Sequence, residues 1–308
     1  MLILFTPWIL LITLLISLVY LFKKKWLAVF LLITIGVLLN ISTKCLPFRL
    51  SAVNESDKDK HIGVMSFNMD GMGGNIKKKA PKIVEMVCKC NPDVVYLAEF
   101  CEQDVLALDT LMRAYYKYSS TDMVNLGSYF YSKFPIGRQR MIEGANGIYC
   151  SFSCEFFFKS DTISLFGCHF TSNNFNSNRK YVTPDSVSDF LTAYTYIVNT
   201  QKAYNDRIVD AKAVVEKLKR VPYPIIVMGD FNDVSGSSSL NEFAHAGLKD
   251  AWWEGGFGYG ATIHKPLPYR IDHFMYSHVL NLQKIKVVNS GDLSDHDALY
   301  AEFLLPSK

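Results

Sequence analysis

The chain opens on two uncharged apolar runs, residues 2 to 22 and 26 to 43, separated by Lys23, Lys24 and Lys25. A helix rising about 1.5 Å per residue over the first run spans roughly 30 Å, the hydrocarbon thickness of a bilayer. No basic residue precedes that run, as a cleaved signal peptide would require. The pattern therefore predicts a transmembrane helical hairpin over residues 1 to 43. Residues 44 to 60 turn polar and mixed in charge (Asn54, Glu55, Ser56, Asp57, Lys58, Asp59, Lys60) and read as a tether. From 61 to 308 short apolar runs alternate with amphipathic ones, the organisation of one α/β domain.

Within that domain, residues 64 to 67, 94 to 97 and 225 to 228 read as buried strands. Between the first two, Ile76, Ala80, Ile83, Val84 and Val87 recur with the period of one buried helix face. Runs rich in β-branched and aromatic residues at 147 to 158 and 162 to 170 predict adjacent antiparallel strands. Two apolar stripes follow and predict two helical stretches, one through Val187, Phe190, Leu191, Tyr194, Ile197 and Val198, the other through Ile208, Ala211, Val215 and Leu218. Further strands are expected around 271 to 275 and 298 to 304. No internal repeat is present. Helices outside mixed strands fit two sheets packed face to face.

Charge sharpens this division. The whole chain carries a net charge of +3, and the first 43 residues hold three lysines and no acids, so the excess belongs to the hairpin loop and residues 44 to 308 are neutral. Binders of polyanions usually carry a basic stripe, because neutralising several phosphates drives their affinity, and its absence disfavours a processive nucleic-acid enzyme. Three lysines in a short loop favour a cytoplasmic loop. Lys44, Arg49, Lys58 and Lys60 oppose that placement, yet they are mixed with acids and lead into a long domain, where charge counts for less. The expected location is the cell membrane, with the domain extracytoplasmic. The seven cysteines (45, 88, 90, 101, 150, 154, 168) form no C-x-x-C pair or zinc spacing and read as buried thiols.

Candidate chemistry gathers at strand ends. Gly229-Asp230-Phe231-Asn232 follows the strand at 225 to 228, setting a carboxylate and a carboxamide two residues apart. Asn68 and Glu99 close two other strands, His169 ends Phe166-Gly167-Cys168-His169, and Arg270-Ile271-Asp272 and Ser294-Asp295-His296 lie downstream. Singly each has a bland reading: Glu99 as a surface carboxylate, Asn68 as a turn former before Asp70-Gly71. In this order, over about residues 61 to 305, the set resembles the endonuclease/exonuclease/phosphatase superfamily of DNase I-like phosphoesterases.

That resemblance implies a four-layer α-β-β-α sandwich and hydrolysis of a phosphate ester by water attack on phosphorus. It implies Mg²⁺, with Mn²⁺ as the substitute, held by Asn68, Glu99 and Asp295. Asp230 would position or deprotonate the water and Asn232 would bond the phosphate. His296 would act as the acid/base imidazole with its tautomer fixed by Asp272, and His169 would contact a phosphate oxygen. Arg207 resembles a substrate-side arginine that opens the helix before the Gly-Asp-Phe-Asn strand; read on its own it is equally a solvated helix arginine. Two positions depart from the family pattern: Ala98 stands where Gln usually precedes the glutamate, and His273 where Tyr commonly follows the aspartate. The expected partners are a lipid bilayer through residues 1 to 43 and a phosphate-ester substrate, either nucleic acid or a lipid or small phosphodiester; no obligate protein partner is evident. The reading from another class is a catalytically silent membrane-anchored module that binds a phosphorylated partner.

Overall fold

A computed structural model describes residues 8, 9, 11 to 13, 15 to 17, 19, 25 to 42, 60 to 71, 76 to 99, 102 to 120, 127 to 173, 187 to 264 and 268 to 306. Of the first 43 residues it describes scattered helical positions up to Val19 and helix α1 (Lys25–Ser42). No helix among the described residues is long and apolar enough to cross a membrane. The first expected spanning helix lies largely outside the described residues, and the second is α1, whose 18 residues rise about 27 Å. The tether at 44 to 60 lies, except for Lys60, outside the described residues.

Strand β1 (His61–Asn68) and β2 (Val94–Ala98) pair in parallel, and α2 (Ile76–Cys90) supplies the crossover that a parallel pair requires. With β3 (Tyr118–Ser119), β4 (Ser128–Ser132), β11 (Asn281–Val288) and β12 (Ala298–Leu304) they build a six-stranded sheet in the order β11-β12-β1-β2-β4-β3. The second sheet repeats the device. Parallel β7 (Asp161–His169) and β8 (Ile225–Asp230) are joined through α4 (Val187–Leu218). Its order is β5-β6-β7-β8-β10-β9, with β5 (Ile136–Glu143), β6 (Tyr149–Phe158), β9 (Leu248–Asp250) and β10 (Asp272–Ser277). The two helical stretches expected after residue 187 are one continuous helix; the side chains of its first stripe, up to Ile197, lie outside the described residues.

Both faces of the central strands are covered, which is why they read as continuous apolar runs. Ile62, Val64, Tyr96 and Phe130 from one sheet meet Phe152, Phe156, Leu165, Ile226 and Phe274 from the other. The alternate residues Met65, Phe67, Val95 and Leu97 pack outward on α2 and α3 (Glu102–Met112). On the second sheet Phe166, Val227 and Met275 pack outward on α4 and α5 (Ser238–His245). The result is the four-layer α-β-β-α sandwich. Five described cysteines, at 88, 90, 150, 154 and 168, are free thiols, the last three buried.

Candidate active site

Strand register brings the polar residues to one edge of the sandwich. In the first sheet Asn68 lies opposite Ala98, so Glu99 emerges one residue beyond the pair. In the second, His169 is in register with Asp230, and Asp230 with Asp272. Gly229 makes this approach possible. Its φ of 136° lies where side chains are strained, and a Cβ there would collide with the Cys168 carbonyl, so only glycine lets β8 lie against β7 just before Asp230.

The sheets meet at Asn68. Its Nδ2 donates to Glu99 Oε1 at 2.9 Å and to Asp230 Oδ2 at 3.0 Å, while its Oδ1 accepts from the Asp70 amide at 2.9 Å. Opposite, His296 Nδ1 donates to Asp272 Oδ2 at 2.9 Å, which aims Nε2 at Asp230 Oδ2 (3.8 Å) and Asp295 Oδ1 (3.9 Å). Asn232 anchors the loop after β8. Its backbone amide donates to Asp230 Oδ1 at 2.7 Å and its side-chain Nδ2 to the Phe170 carbonyl at 3.0 Å. Glu99 and Asn232 hold φ of 51° and 49°. Asn tolerates that region, whereas for Glu it is uncommon and marks a backbone held by its surroundings.

Burial and neighbouring charge set the protonation states in opposite directions. Burial raises the Asp230 carboxyl above its ordinary range, Asp272 adds to this, and His296 opposes it. Burial disfavours the His296 cation, but the Asp272 and Asp230 carboxylates outweigh it and raise the imidazole well above its usual value. Burial likewise works against Glu99 ionisation, yet the His169 imidazole and the Asn68 amide hold that carboxyl down at about 2. His169 is raised, with burial overcome by Glu99 and Asp230.

Glu99, His169 and Asp230 each offer a ligand atom within 4.8 Å of the others. His169 Nε2 is buried without an aligned hydrogen-bond partner, 3.2 Å from Glu99 Oε1. Two hard carboxylates converging at a half-exposed edge fit a divalent cation that keeps open positions for water and substrate. Glu99 is in this group, Asn68 bridges its two carboxylates, and Asp295 stands outside it, half-exposed beside His296.

Two further residues were not singled out from sequence. Ser294 Oγ donates to the Asn68 carbonyl at 2.8 Å and accepts from the His296 amide at 3.0 Å, tying the end of β1 to the histidine loop. Asp70, at φ 50°, has its carboxyl raised by burial and by Asp295 and Glu99. Asp70 follows the end of β1 by two residues, and Ser294 opens the Ser294-Asp295-His296 run, which was the available signal for each.

Arg207 does not open its helix. It lies well inside α4, buried, with Nη1 donating to the Thr171 carbonyl at 3.1 Å and Asn173 Oδ1 at 2.9 Å, and Nε 3.5 Å from Asp233 Oδ2. His273 is no competitor for Asp272. It points to the outer face of β10, where its Nε2 donates to the Asp233 carbonyl at 2.9 Å and its Nδ1 accepts from Arg270 Nη1 at 2.7 Å. Ala98, where the family pattern has Gln, is buried in the inter-sheet core and accepts the Met69 amide on its carbonyl.

The family profile described as "Endonuclease/Exonuclease/phosphatase family" matches residues 65–296. No curated protein matches the sequence. Among solved structures, truncated TDP2 of Caenorhabditis elegans is 21% identical, with a TM-score of 0.58 over 81% of this chain and 100% of that one. TDP2 of D. rerio, complexed with single strand DNA product, is 17% identical, with a TM-score of 0.57 over 79% and 98%. An endonuclease/exonuclease/phosphatase family protein from Bacteroides thetaiotaomicron is 15% identical, with a TM-score of 0.60 over 80% and 98%. At these identities the likeness is one of fold.

Proposed function

We infer that this chain, which belongs to the endonuclease/exonuclease/phosphatase family, hydrolyses a phosphodiester by direct attack of water on phosphorus. The observation that carries this reading is the Asn68 bridge, which joins the Glu99 carboxylate of one sheet to the Asp230 carboxylate of the other, beside the Asp272-supported imidazole of His296.

Each residue has a task its surroundings support. Asp230, raised towards neutrality, can take a proton from a water held at its Oδ2. His296, kept cationic by Asp272 and Asp230, presents a charged N–H to oxygen that gains negative charge in the transition state. Asn232 holds the Asp230 carboxylate in place through its backbone amide, and His169 reaches the same edge from β7 to contact a phosphate oxygen. Glu99 and Asp230 would hold the divalent cation, Mg²⁺ or Mn²⁺, which when bound supplies Lewis-acid polarisation of the phosphoryl oxygens.

Two observations bear on the substrate. The D. rerio neighbour holds a single strand DNA product, which supports a nucleic-acid diester. Trp26, Phe30 and Ile33 of α1 are exposed at 87%, 66% and 62%, which supports contact between residues 1 to 43 and lipid, a membrane location, and a lipid diester within reach. The deciding experiment is a release assay on the purified full chain against single-stranded DNA, sphingomyelin, phosphoinositide and bis(p-nitrophenyl) phosphate, with and without Mg²⁺. Metal-dependent turnover of at least one diester is expected. A chain that turns over none, with any divalent metal, is the silent binding module instead.

A further inference from the structure

On the outer side of the site, away from Glu99 and His296, α4 carries a buried arginine and a buried aspartate one turn apart, Arg207 and Asp210, and both engage the same residue. Residues three apart share a helix face. Thr171 donates its backbone N–H to Asp210 Oδ2 at 3.0 Å and its hydroxyl to the same oxygen at 2.9 Å, while its carbonyl accepts from Arg207 Nη1 at 3.1 Å. Every polar group of Thr171 is thereby held by this pair. Asp210 Oδ1 also accepts the Ala145 amide at 2.8 Å, which docks the β5–β6 turn onto the helix. Arg207 reaches in the other direction to Asp233, one residue beyond Asn232.

These contacts bear on the site through very short stretches of chain. Thr171 is two residues from His169 and adjacent to Phe170. Phe170 donates its amide to the Asp230 carbonyl at 3.0 Å and accepts Asn232 Nδ2 on its own carbonyl. Packing alone does not fix that arrangement. Phe170, Phe231 and Phe243 form an aromatic cluster, with ring centroids 4.9 Å and 5.5 Å apart at the contacts with Phe231, that buries the two loops without setting their register. A buried ionic group is a costly way to fill space, and its directional bonds are what an apolar side chain lacks.

We infer that Arg207 and Asp210 form a positioning clamp that, through Thr171 on one side and Asp233 on the other, sets His169 and Asn232 against Asp230. The inference rests on the phosphodiesterase reading for its kinetic consequence and on hydrogen exchange for its structural one. It removes Arg207 from contact with substrate.

The test uses the full chain with Asp210→Asn, Thr171→Val, Thr171→Ser and Arg207→Lys. Asn in place of Asp210 turns an NH₂ towards a backbone donor, Val removes only the hydroxyl bond, and Ser restores it. By hydrogen exchange read by mass spectrometry, Asp210→Asn and Thr171→Val raise exchange of peptides covering 165 to 173 and 228 to 235 at least fivefold, with the strands of the first sheet unchanged. With bis(p-nitrophenyl) phosphate and Mg²⁺, kcat falls at least tenfold in Asp210→Asn and about fivefold in Thr171→Val, KM stays within threefold, and Thr171→Ser recovers to within twofold of the parent. Unchanged exchange in folded Asp210→Asn and Thr171→Val overturns the clamp. Raised exchange with an unchanged kcat overturns its link to catalysis. A tenfold rise in KM at constant kcat in Arg207→Lys returns Arg207 to the substrate. If the parent chain itself hydrolyses no diester, the phosphodiesterase reading fails, and the exchange measurement decides the clamp by itself.

Discussion

Asp272 and His273 are neighbours in sequence and belong to different environments, because successive side chains of β10 point to opposite faces. On the inner face Asp272 meets His296, an imidazole raised above its usual value by carboxylates on two sides. On the outer face His273 is equally buried, and burial, reinforced by Arg270, pushes it down to about 4, with its two nitrogens engaged by Arg270 and the Asp233 carbonyl. One histidine is held as a cation against the inner face of this strand and the other neutral on its outer face. The difference lies in what surrounds each ring: carboxylates stabilise the charge at one, and a guanidinium opposes it at the other. A buried histidine beside an aspartate in sequence is therefore not by that fact an acid or a base; the face of the strand decides.

The comparison breaks most visibly at His296. His296→Ala and Asp272→Asn should each lower kcat by ~10³-fold, the range of a lost acid/base group. The double variant should lose little more than either single one, because the two act as a unit. Multiplying losses in steady-state assays would refute the pairing.

Glu99→Gln tests whether the same inner edge depends on charge for its metal. Removing the carboxylate while keeping its volume should weaken apparent Mg²⁺ affinity about 100-fold, at the upper end of what partners of a metal site contribute. A Mg²⁺ activation curve superimposable on that of the parent would remove Glu99 from the metal. On the outer face, His273→Leu should leave kcat within a few-fold while destabilising the fold by about 2 kcal/mol, since Arg270 and the Asp233 carbonyl each lose a buried partner. Chemical denaturation read beside kcat checks this, and a large kcat loss without a stability loss would erase the distinction between the faces.

Acid titration sharpens it. His273 has a folded value below its unfolded one, 6.5 lowered to about 4, so between those values the unfolded chain binds the extra proton. Stability from this group is complete above pH 6.5 and is lost as pH falls towards 4, by at most about 1.4 kcal/mol per pH unit. His296 has the opposite sign: raised on folding, it contributes fully below its unfolded value and loses that contribution as pH rises through its folded one. His273→Gln, which can reproduce both bonds without titrating, should flatten the acid limb of a denaturation series; an unaltered limb would count against the neutral ring. The smallest effect is expected at Ser294→Ala, about 1 kcal/mol of stability or the equivalent in kcat, from the loss of one link between Asn68 and the His296 loop.

Much of this molecule was legible along the chain. Continuous apolar runs marked strands covered on both faces, and the 3.6-residue period marked α2 and the second half of α4. The strand-end residues Asn68, Glu99, His169 and Asp230 stood out because their polarity ends an apolar run, a local signal, whereas Asp272 and His296 stood out only through the order of the family motifs. The join within α4 was not legible, since the polar run Asn199-Thr200-Gln201-Lys202 separates the two apolar stripes in sequence. At Arg207 the position in a helix was visible, but not which neighbours its guanidinium met.

What the sequence determined by itself was the alternation of strand and helix and the positions of the chemically capable side chains, because both follow from interactions within a few residues. The tertiary structure alone decided which of them meet. Asn68 and Asp230 are 162 residues apart and His296 and Asp272 are 24 apart, so no local pattern encodes those bonds; they exist because two sheets pack face to face in one register. The same register assigns Asp272 to the site and His273 to the wall behind it, and it sets Arg207 and Asp210 on Thr171.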